Sequence, residues 1–339
     1  MTTIKDIAKA AQISVTTVSR ALNGHDDVNE ATRERIKAIA QQLGYSPNIA
    51  ARSLISKKTH TLGLLLSNVT RASSKDNIAY QALCGMNDRA GALNYDLVLF
   101  STTPQKQKVK SYKTLCQERG VDGVIIMGMR LDDPYLKEIV RSEIPCVLID
   151  IPLQGPNVGY VTSANEEGAY TAVAYLLQAN HRRIGMINGH TQADVSLHRL
   201  RGYKRALDEA AVPFDDSLVA DGGFSENGGK ESALQLLKRH PDLTALFCAS
   251  DLMALGAMQA VRELGLRIPE DISIIGFDNI DVTAYCTPAL TTVHQHTYEL
   301  GEQAAQMLID LLENRGNNHH TVLATELVVR DSVMPRPRS

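Results

Sequence analysis

Residues 4–24 read IKDIAKAAQISVTTVSRALNG, and this stretch predicts two short helices joined by a tight turn. Apolar residues of the first helix recur at helical spacing, which allows one face to be buried: Ile4, Ile7, Ala8 and Ala11. Ser14 is a favourable N-cap for the second helix, in which Val18, Ala21 and Leu22 form the inward face. The pattern is typical of a helix-turn-helix, although a plain helical hairpin with solvated Thr and Arg side chains would look similar.

The outward face of the second helix carries polar side chains near its N-terminal end, where such a helix meets base edges in the major groove. Arg20 can donate two hydrogen bonds to guanine, and threonine offers a hydroxyl group and a methyl group to a base. The predicted DNA contacts on and just after this helix are Ser14, Val15, Thr16, Thr17, Ser19, Arg20 and Asn23.

A third helix is expected over residues 31–45, with Asn29 as its N-cap and Gly44 at its end. Its predicted apolar side consists of Ala31, Ile36, Ile39, Ala40 and Leu43. Pro47 blocks a direct continuation, and Asn48 can cap a short run that reads IAARSL. Because so short a helix is unstable alone, we expect this run to fold only against another surface.

Two stretches, TIKDIAKAAQISVTTVSRALNG and TRERIKAIAQQLGYSPNIAARSL, resemble the LacI/GalR family of bacterial transcription regulators. The resemblance implies a helix-turn-helix domain over residues 1–46 and a hinge helix with its linker over 47–58. It also implies that Ala50 and Ala51 approach the minor groove and that Leu54 wedges into the central base step, which would bend the duplex; Asn48, at the start of this run, is a further predicted DNA contact.

Charge is distributed unevenly along the chain. Residues 1–58 contain nine Lys/Arg and five Asp/Glu, a net charge of +4, whereas the whole chain carries −3. A basic N-terminal part on an acidic body would bring phosphates to one end of the molecule. This imbalance supports DNA binding, and it is small enough to arise by chance.

From residue 61 the pattern changes to short apolar strands separated by amphipathic helices, which indicates parallel sheets covered on both faces. The predicted strands read TLGLLLS, YDLVLFS, VDGVIIMG, PCVLIDI, RIGMING, LTALFCAS and ISIIGFD. The fold class expected is an N-terminal all-α helix-turn-helix headpiece plus an α/β bilobed periplasmic-binding-protein-like body with two doubly wound parallel sheets. The resemblance implies three crossings between the lobes within a core over 59–339. We place the N-subdomain at 59–160 and 292–321, and the C-subdomain at 161–290 and 322–339.

No motif for catalysis, nucleotide phosphates or metal ligation is found, so we predict a protein that is not an enzyme and has no cofactor or metal. The five cysteines are scattered and form no CxxC pair, which favours a reducing compartment. The N-terminus lacks a signal-peptide pattern and no apolar run reaches membrane-spanning length. We therefore expect a cytoplasmic protein with no membrane partner.

Polar residues at strand ends are candidates for a ligand site in the cleft. Asp150, Asp251 and Asp278 each follow a predicted strand, and carboxylates there can accept hydrogen bonds from adjacent sugar hydroxyl groups. Asp251 could equally serve as a helix N-cap. The resemblance places all three in the effector cleft, together with Arg199 and Phe224.

This sequence departs from the family pattern at two places, so the identity of its ligand cannot be inferred from that of a relative. Residues 68–77 read NVTRASSKDN where many members have an Asn-Pro-Phe-Phe sequence, and Ala164 stands where Asp is common. Three carboxylates favour a saccharide over a nucleoside or purine, and a single arginine favours a neutral ligand. The C-terminus, VVRDSVMPRPRS, lacks a heptad segment, which favours a homodimer over a tetramer.

The predicted function is therefore a DNA-binding transcriptional regulator, of the repressor type, that controls a sugar-utilisation operon. A homodimer would read a pseudo-palindromic double-stranded DNA operator under allosteric control by a small ligand, a sugar. A regulator that responds to a nucleoside is the alternative. A solute-binding protein for transport is more distant because it has no use for residues 1–58, and a sugar-modifying enzyme would need an acid/base pair in the cleft.

Overall fold

The computed structural model describes residues 2–22, 27–45, 58–67, 77–102, 107, 109–315 and 319–337. The chain divides into two compact units, Met1–Thr59 and His60–Ser339. Among the described residues, no helix combines the length and the apolar character needed to cross a membrane.

The described residues of the N-terminal unit form three helices: α1 (Ile4–Ala11), α2 (Val15–Leu22) and α3 (Glu30–Gln42). Both predicted caps are confirmed, because the Thr17 amide donates to Ser14 Oγ (3.0 Å) and the Thr32 amide donates to Asn29 Oδ1 (2.8 Å). α1 begins with a capping box of Thr3 and Asp6, a feature that was not predicted.

The core of this unit lies among the three helices and includes most of the predicted apolar positions: Ile7, Ala8, Val18, Ala21, Ile36 and Ala40. Two predictions for α3 and the turn after it are wrong, because Ala31 is exposed and Leu43 is 39% exposed. Both residues lie near the ends of α3, where few residues of this short bundle remain to cover them.

The first lobe of the body is a six-stranded sheet in the order β11-β5-β4-β3-β1-β2, and every neighbouring pair is parallel. Its strands are β1 (Thr61–Leu66), β2 (Asp96–Ser101), β3 (Gly123–Met127), β4 (Cys146–Ile149), β5 (Val158–Ser163) and β11 (His320–Leu323). Its helices are α4 (Ile78–Ala92), α5 (Tyr112–Arg119), α6 (Tyr135–Arg141) and α11 (Thr297–Leu312).

The second lobe repeats this plan in the order β12-β10-β9-β8-β6-β7, with one antiparallel pair, β10 and β12. Its strands are β6 (Ile184–Asn188), β7 (Val219–Asp221), β8 (Ala245–Cys248), β9 (Ser273–Asp278), β10 (Thr291–Gln295) and β12 (Thr325–Val328). Its helices are α7 (Asn165–Gln178), α8 (Asp194–Glu209), α9 (Glu226–Arg239) and α10 (Asp251–Glu263), with short 3₁₀ turns at Asp216–Leu218 and Asp281–Ala284.

All seven strands predicted from apolar runs are present. The two-lobed α/β body is therefore confirmed, and the antiparallel β12 is the exception to the parallel pattern. The crossings between lobes follow β5, β10 and β11, so each lies between one and four residues after the predicted boundary.

The largest difference from the predicted boundaries is at β10. The prediction assigns most of this strand to the N-subdomain, whereas β10 pairs with β9 in the second sheet. In the same way, β5 extends to Ser163 and β11 to Leu323 within the first sheet. Buried strands have the same apolar pattern in either lobe, so the sequence cannot tell which sheet a strand at a crossing joins.

Helices α4 and α11 approach closely because each has a glycine at the contact. A Cβ atom at Gly85 would lie 2.0 Å from the carbonyl oxygen of Tyr298, and one at Gly301 would lie 2.1 Å from that of Ala82. The segment that returns to the first lobe after β10 is thereby held against that lobe's own core.

Candidate DNA-binding and effector-binding sites

The outward face of α2 presents the residues predicted to contact DNA. Val15 is 43% exposed, Thr16 and Arg20 are exposed, and Thr17 and Ser19 are half-buried. The Ser14 and Thr17 hydroxyl oxygens lie 2.8 Å apart, so both side chains help to form the cap of α2. A helix whose N-terminal end is capped and whose outer face is open has the form needed for entry into a major groove.

Arg20 forms an ion pair within this unit. Its Nη1 lies 2.6 Å from Asp27 Oδ2, and both side chains are about half exposed. An arginine that reads guanine must direct both guanidinium donors at the base, so binding to a base competes with this pair. If Arg20 reads a base as predicted, Asp27 would oppose that contact through both its charge and its ion pair with Arg20.

Several predicted DNA contacts lie outside the described residues. They are Asn23, Asn48, Ala50, Ala51 and Leu54. Their roles remain predictions from the sequence.

A cavity of about 270 Å³ lies between the two lobes of the body, where strands of both sheets end. Polar groups from both lobes face it, among them Asp150 at the end of β4 and Asp278 at the end of β9. The other lining residues are Ile78, Met127, Gly128, Met129, Arg130, Ile149, Ile151, His190, Ala193, Asp194, Val195, Arg199, Phe224, Ser250, Leu252 and Gln295. Four of the five predicted effector residues therefore share one cavity.

Asp150 is held by a neighbouring strand. The Thr162 hydroxyl group on β5 donates to Asp150 Oδ1 (2.7 Å), and Asp150 has a left-handed backbone with φ of 61°. Burial raises the pKa of Asp150, whereas the Thr162 hydrogen bond and the positive charge of Arg199 act against that rise. The carboxylate thus stands at the edge of the cavity in a fixed orientation.

Arg199 is almost fully buried and hydrogen-bonded within the protein. Its Nε donates to Asn165 Oδ1 (2.9 Å), its Nη1 donates to the carbonyl oxygen of Ala249, and its guanidinium carbon lies 3.8 Å from the centroid of the Phe277 ring. Burial lowers the pKa of Arg199, and the negative charge of Asp278 is the strongest influence that raises it. Two of the five N–H donors of this arginine are therefore hydrogen-bonded to protein groups before any ligand arrives.

Asp278 faces Arg199 from the end of β9. Its Oδ1 lies 3.8 Å from Arg199 Nη1 and accepts a hydrogen bond from Gln295 Nε2 (2.7 Å). Its φ of 121° is rare for a residue with a side chain, and the next residue, Asn279, has φ of 58°. Backbone in such regions persists where surrounding contacts enforce it, and it is often found at ligand sites.

Phe224 supplies an aromatic surface to the cavity. Its ring contacts His190 edge-on, with centroids 5.6 Å apart and an interplanar angle of 89°. Phe224 also has a positive φ, 53°, so it joins Asp150 and Asp278 as a lining residue with left-handed backbone. An aromatic face opposite carboxylates is suited to a ring that is apolar on its faces and polar at its rim.

The prediction that Asp251 faces the cleft is wrong. Asp251 has no exposed surface and does not line the cavity. Its Oδ1 accepts from the Thr292 hydroxyl group (2.6 Å) and its Oδ2 from the Ile280 amide (2.9 Å), so it ties α10 to β10 and to the loop after β9. It is not the N-cap either, because Ser250 accepts from the Met253 amide. Burial raises the pKa of Asp251 well above its usual value.

Some lining residues were not predicted, notably Met127, Arg130, His190 and Gln295. Met127 and Gln295 are the last residues of β3 and β10, and Asp150 directly follows β4, so the strand-end argument applied to every strand would have found them. Arg130 and His190 follow strands by a few residues, and nothing in the linear pattern separates them from ordinary loop residues.

A larger and more open groove of about 770 Å³ lies on the surface of the second lobe, beside α10. Its walls include Leu255, Met258 and Cys286, and none of the strand-end residues that line the inter-lobe cavity lines this groove. We assign the effector to the smaller cavity because converging polar groups, rather than volume, identify a specific ligand site.

Similarity to known proteins covers both units of the chain. Residues 3–48 match the bacterial regulatory proteins of the lacI family, and residues 173–333 match a periplasmic binding protein-like domain. The HTH-type transcriptional repressor PurR of Vibrio atlanticus is 34% identical over 336 residues, which covers 98% of this chain and 99% of the relative. The ribose operon repressor of Haemophilus influenzae is 33% identical over 335 residues, with the same coverage.

A solved structure of the lac repressor dimer, bound to operator and the anti-inducer ONPF, superposes with a TM-score of 0.82. It is 28% identical to this chain, and the match covers 98% of this chain and 99% of that one. Members of the family regulate transcription and are not enzymes. The chain therefore belongs to the LacI family of bacterial regulatory proteins, as a DNA-binding transcriptional repressor.

Proposed function

We propose that this repressor controls an operon for the use of a sugar and that a small neutral saccharide binds in the inter-lobe cavity. One observation carries the proposal: Asp150 of the first lobe and Asp278 of the second lobe line the same cavity. A ligand that donates hydrogen bonds to both carboxylates would connect the lobes. Saccharides fit because each pair of adjacent hydroxyl groups can donate to one carboxylate.

The charge of the cavity supports a neutral ligand. Three carboxylates, Asp150, Asp194 and Asp278, line it with two guanidinium groups, Arg130 and Arg199. Arg130 pairs with Asp132 at 3.0 Å, and Arg199 is engaged with protein groups as described above. An anionic sugar phosphate would meet a net negative wall, which costs binding free energy.

The size of the cavity supports a small ligand. Its volume of about 270 Å³ lies just below the usual range of small-molecule sites, about 300–1,000 Å³. A single sugar ring is therefore favoured over a longer saccharide. The Phe224 ring can stack on the apolar face of that ring.

A nucleoside is the second candidate, and Phe224 is the observation that favours it. A planar base would stack on this ring at least as well as a sugar does. Ala193 and Val195 of the cavity wall offer no hydrogen bond from their side chains to the polar edge of a base. For that reason we rank the nucleoside second.

Near the N-terminus, we propose that Ser14–Arg20 read a half-site in the major groove and that residues 47–58 contain a hinge helix and its linker. A homodimer would then bind a pseudo-palindromic operator, with Leu54 wedged into the central base step. The similar lac repressor was solved as a dimer bound to operator, which supports operator binding by a dimer. Replacing Leu54 by Ala should weaken operator binding and leave effector binding unchanged.

Effector control would follow from linkage between the two sites. If a ligand favours one arrangement of the lobes and that arrangement changes the affinity for DNA, DNA must change ligand affinity by the same factor. The sign of the coupling decides whether the ligand induces or corepresses, and it requires measurement.

The experiment that tests the proposal begins with DNA. Genomic fragments retained by the purified full chain at near-physiological salt are sequenced, since salt sets how much non-specific binding survives. Monosaccharides and nucleosides are then screened for their effect on that retention. Enrichment of palindromes upstream of sugar genes, released or strengthened by a monosaccharide, is the expected result. An effect of nucleosides alone would replace the sugar by the second candidate, and lack of enrichment with every ligand tested would contradict the operator prediction.

A further inference from the structure

His294 lies behind the cavity wall, next to two residues that matter for the effector site. It is the penultimate residue of β10, is half-buried, and lies opposite Asp278 on one side and Glu326 on the other. The following residue, Gln295, lines the cavity and donates to Asp278. His294 itself is not part of the cavity wall.

The hydrogen bonds around His294 determine which of its nitrogen atoms carries the proton. Arg330 Nη2 donates to Asn279 Oδ1 (2.6 Å), and the guanidinium is anchored by further bonds to Thr283 and Leu290. Because the Asn279 oxygen faces Arg330, its Nδ2 group faces His294 Nδ1, 3.1 Å away. An amide nitrogen only donates, so Nδ1 must accept and the proton resides on Nε2.

The charged and titratable groups near His294 have opposite effects on its pKa. His296 lies with its ring centroid 4.6 Å from that of His294, and Glu326 comes from the neighbouring strand. Arg330 acts on His294 through Asn279, and Asp278 is its neighbour on β9. Burial, and then the charge of His296, lower the pKa of His294 from its usual value, while Glu326 raises it.

Protonation of His294 would break this arrangement. A proton on Nδ1 would place two donors against each other at the distance of a hydrogen bond, so Asn279 would have to move. Asn279 and Asp278 form a continuous left-handed pair, with φ of 58° and 121°. Backbone of this kind depends on its contacts, so a displaced Asn279 side chain also disturbs Asp278.

We propose that His294 is a positioning residue of the effector site. In its neutral form it holds Asn279, and through Asn279 it keeps Asp278 at the cavity wall, so protonation of His294 weakens effector binding. The inference rests on the proposed function only in so far as the effector contacts Asp278. It adds a proton-sensitive control that acts from outside the cavity.

The direction of the pH dependence follows from linkage. The effector-bound form requires neutral His294, so affinity is constant above the pKa of this residue and falls as the pH drops below it. One proton is involved, so the loss is at most about tenfold per pH unit. Effector binding must in turn lower the pKa of His294 further.

The first test reads His294 without any effector. In the full chain with ¹⁵N-labelled histidines, we expect His294 to show an unprotonated Nδ1 and a protonated Nε2, and to titrate below the usual histidine range. His294→Leu removes the acceptor, and a crystal structure of this variant should show Asp278 and Asn279 displaced. A proton on Nδ1 at neutral pH, or an unchanged Asp278–Asn279 backbone in the leucine variant, would overturn the proposal.

The second test measures binding of D-ribose, D-glucose and D-galactose between pH 5 and 8. For a probe that binds, affinity of the parent chain should fall below the pKa of His294, and His294→Leu should weaken binding at every pH. His294→Asn offers an oxygen acceptor near the position of Nδ1 but does not titrate, so it should restore much of the lost affinity and remove the pH dependence. His296→Asn, the matched control, should keep the pH dependence with its midpoint moved upward.

The two proposals fail in different ways. If none of the three sugars binds, the saccharide proposal is contradicted while the tautomer and the backbone of the leucine variant still decide the role of His294. If a sugar binds with the same affinity from pH 5 to 8 although His294 titrates in that range, the positioning role is contradicted while the saccharide proposal stands.

Discussion

The ring of Phe224 lies directly against the α-carbon of Gly189. A Cβ atom at Gly189 would be 2.0 Å from Cε2 of that ring, far closer than a Cβ atom approaches a non-bonded atom. Gly189 follows β6, and the ring reaches it from a residue with left-handed backbone. The position of the Phe224 ring in the cavity therefore depends on the absence of a side chain at residue 189.

Replacing Gly189 by Ala should displace Phe224 and weaken effector binding by about tenfold or more, equivalent to roughly 1.4 kcal/mol. Isothermal titration with the effector identified by the screen measures the change. Gly91→Ala, in helix α4, is the control, because a Cβ atom there would have no described atom within 4 Å. That control should bind normally and gain stability of about 0.5–1 kcal/mol. Normal binding by Gly189→Ala would show that Phe224 does not contact the ligand.

Asp27→Asn should strengthen DNA binding. The substitution frees Arg20 from the pair at 2.6 Å and removes a negative charge near the phosphates. Exposed pairs contribute about 0.2–1 kcal/mol, so we expect about a twofold to fivefold gain in operator affinity, measured by fluorescence anisotropy. Glu34→Gln also removes one negative charge and one ion pair, that with Lys37, but leaves Arg20 paired with Asp27, so it is the control for a lost charge without release of Arg20. Equal gains in both variants would contradict competition for Arg20.

Removing the charge of Arg199 should destabilise the second lobe. Arg199→Met deletes the buried guanidinium that offsets the charges of Asp278 and its carboxylate neighbours, a change that typically costs about 3–5 kcal/mol. The double variant Arg199→Met with Asp278→Asn should recover part of that loss, because it also removes one of the negative charges. Urea denaturation of the two variants gives the comparison. A double variant no more stable than the single one would mean that the 3.8 Å pair has no role in stability.

Acid should destabilise the body through His181, which has no exposed surface. Its Nε2 faces the carbonyl oxygen of Met334 (3.1 Å) and must donate, and its Nδ1 lies 2.9 Å from the Thr244 hydroxyl oxygen. Burial lowers the pKa of His181 to about 4. Since the unfolded chain has the ordinary value near 6.5, it binds more protons in between, and stability falls as the pH drops through this window. The stability of His181→Gln, measured by thermal unfolding, should fall less steeply from about pH 6.5 to 4, and an identical slope would contradict the assignment.

The fold was predictable from local pattern to a large extent. The caps Ser14 and Asn29 begin helices where expected, because capping is decided by residues three positions apart. The strands of the body appear as apolar runs because both faces of a parallel sheet are buried. The lobe of the crossing strand β10 was not predictable, because its burial is the same in either lobe.

Residues of the site were predictable from the sequence only where they lie at the ends of strands. Asp150 and Asp278 line the cavity as expected. Asp251, in a similar sequence position, is buried outside the cavity wall and accepts hydrogen bonds from Thr292 and Ile280. All three are carboxylates just after or at the end of an apolar run, and only long-range partners separate them. Arg199 shows the same limit, because its bonds to protein groups join segments far apart in the chain.

The sequence by itself determined the class of protein: helical spacing with Arg20 and polar side chains on the outer face, together with the resemblance to the LacI/GalR family, indicated a DNA-binding regulator, and alternating strands and helices indicated a two-lobed body. These features depend on neighbours within a few residues, which the order of amino acids specifies directly. The tertiary structure alone decided which side chains face the cavity, that Arg20 is held by Asp27, and that His294 must accept a hydrogen bond from Asn279. Such relationships depend on distances of a few ångströms between groups brought together by folding, and no local periodicity encodes them.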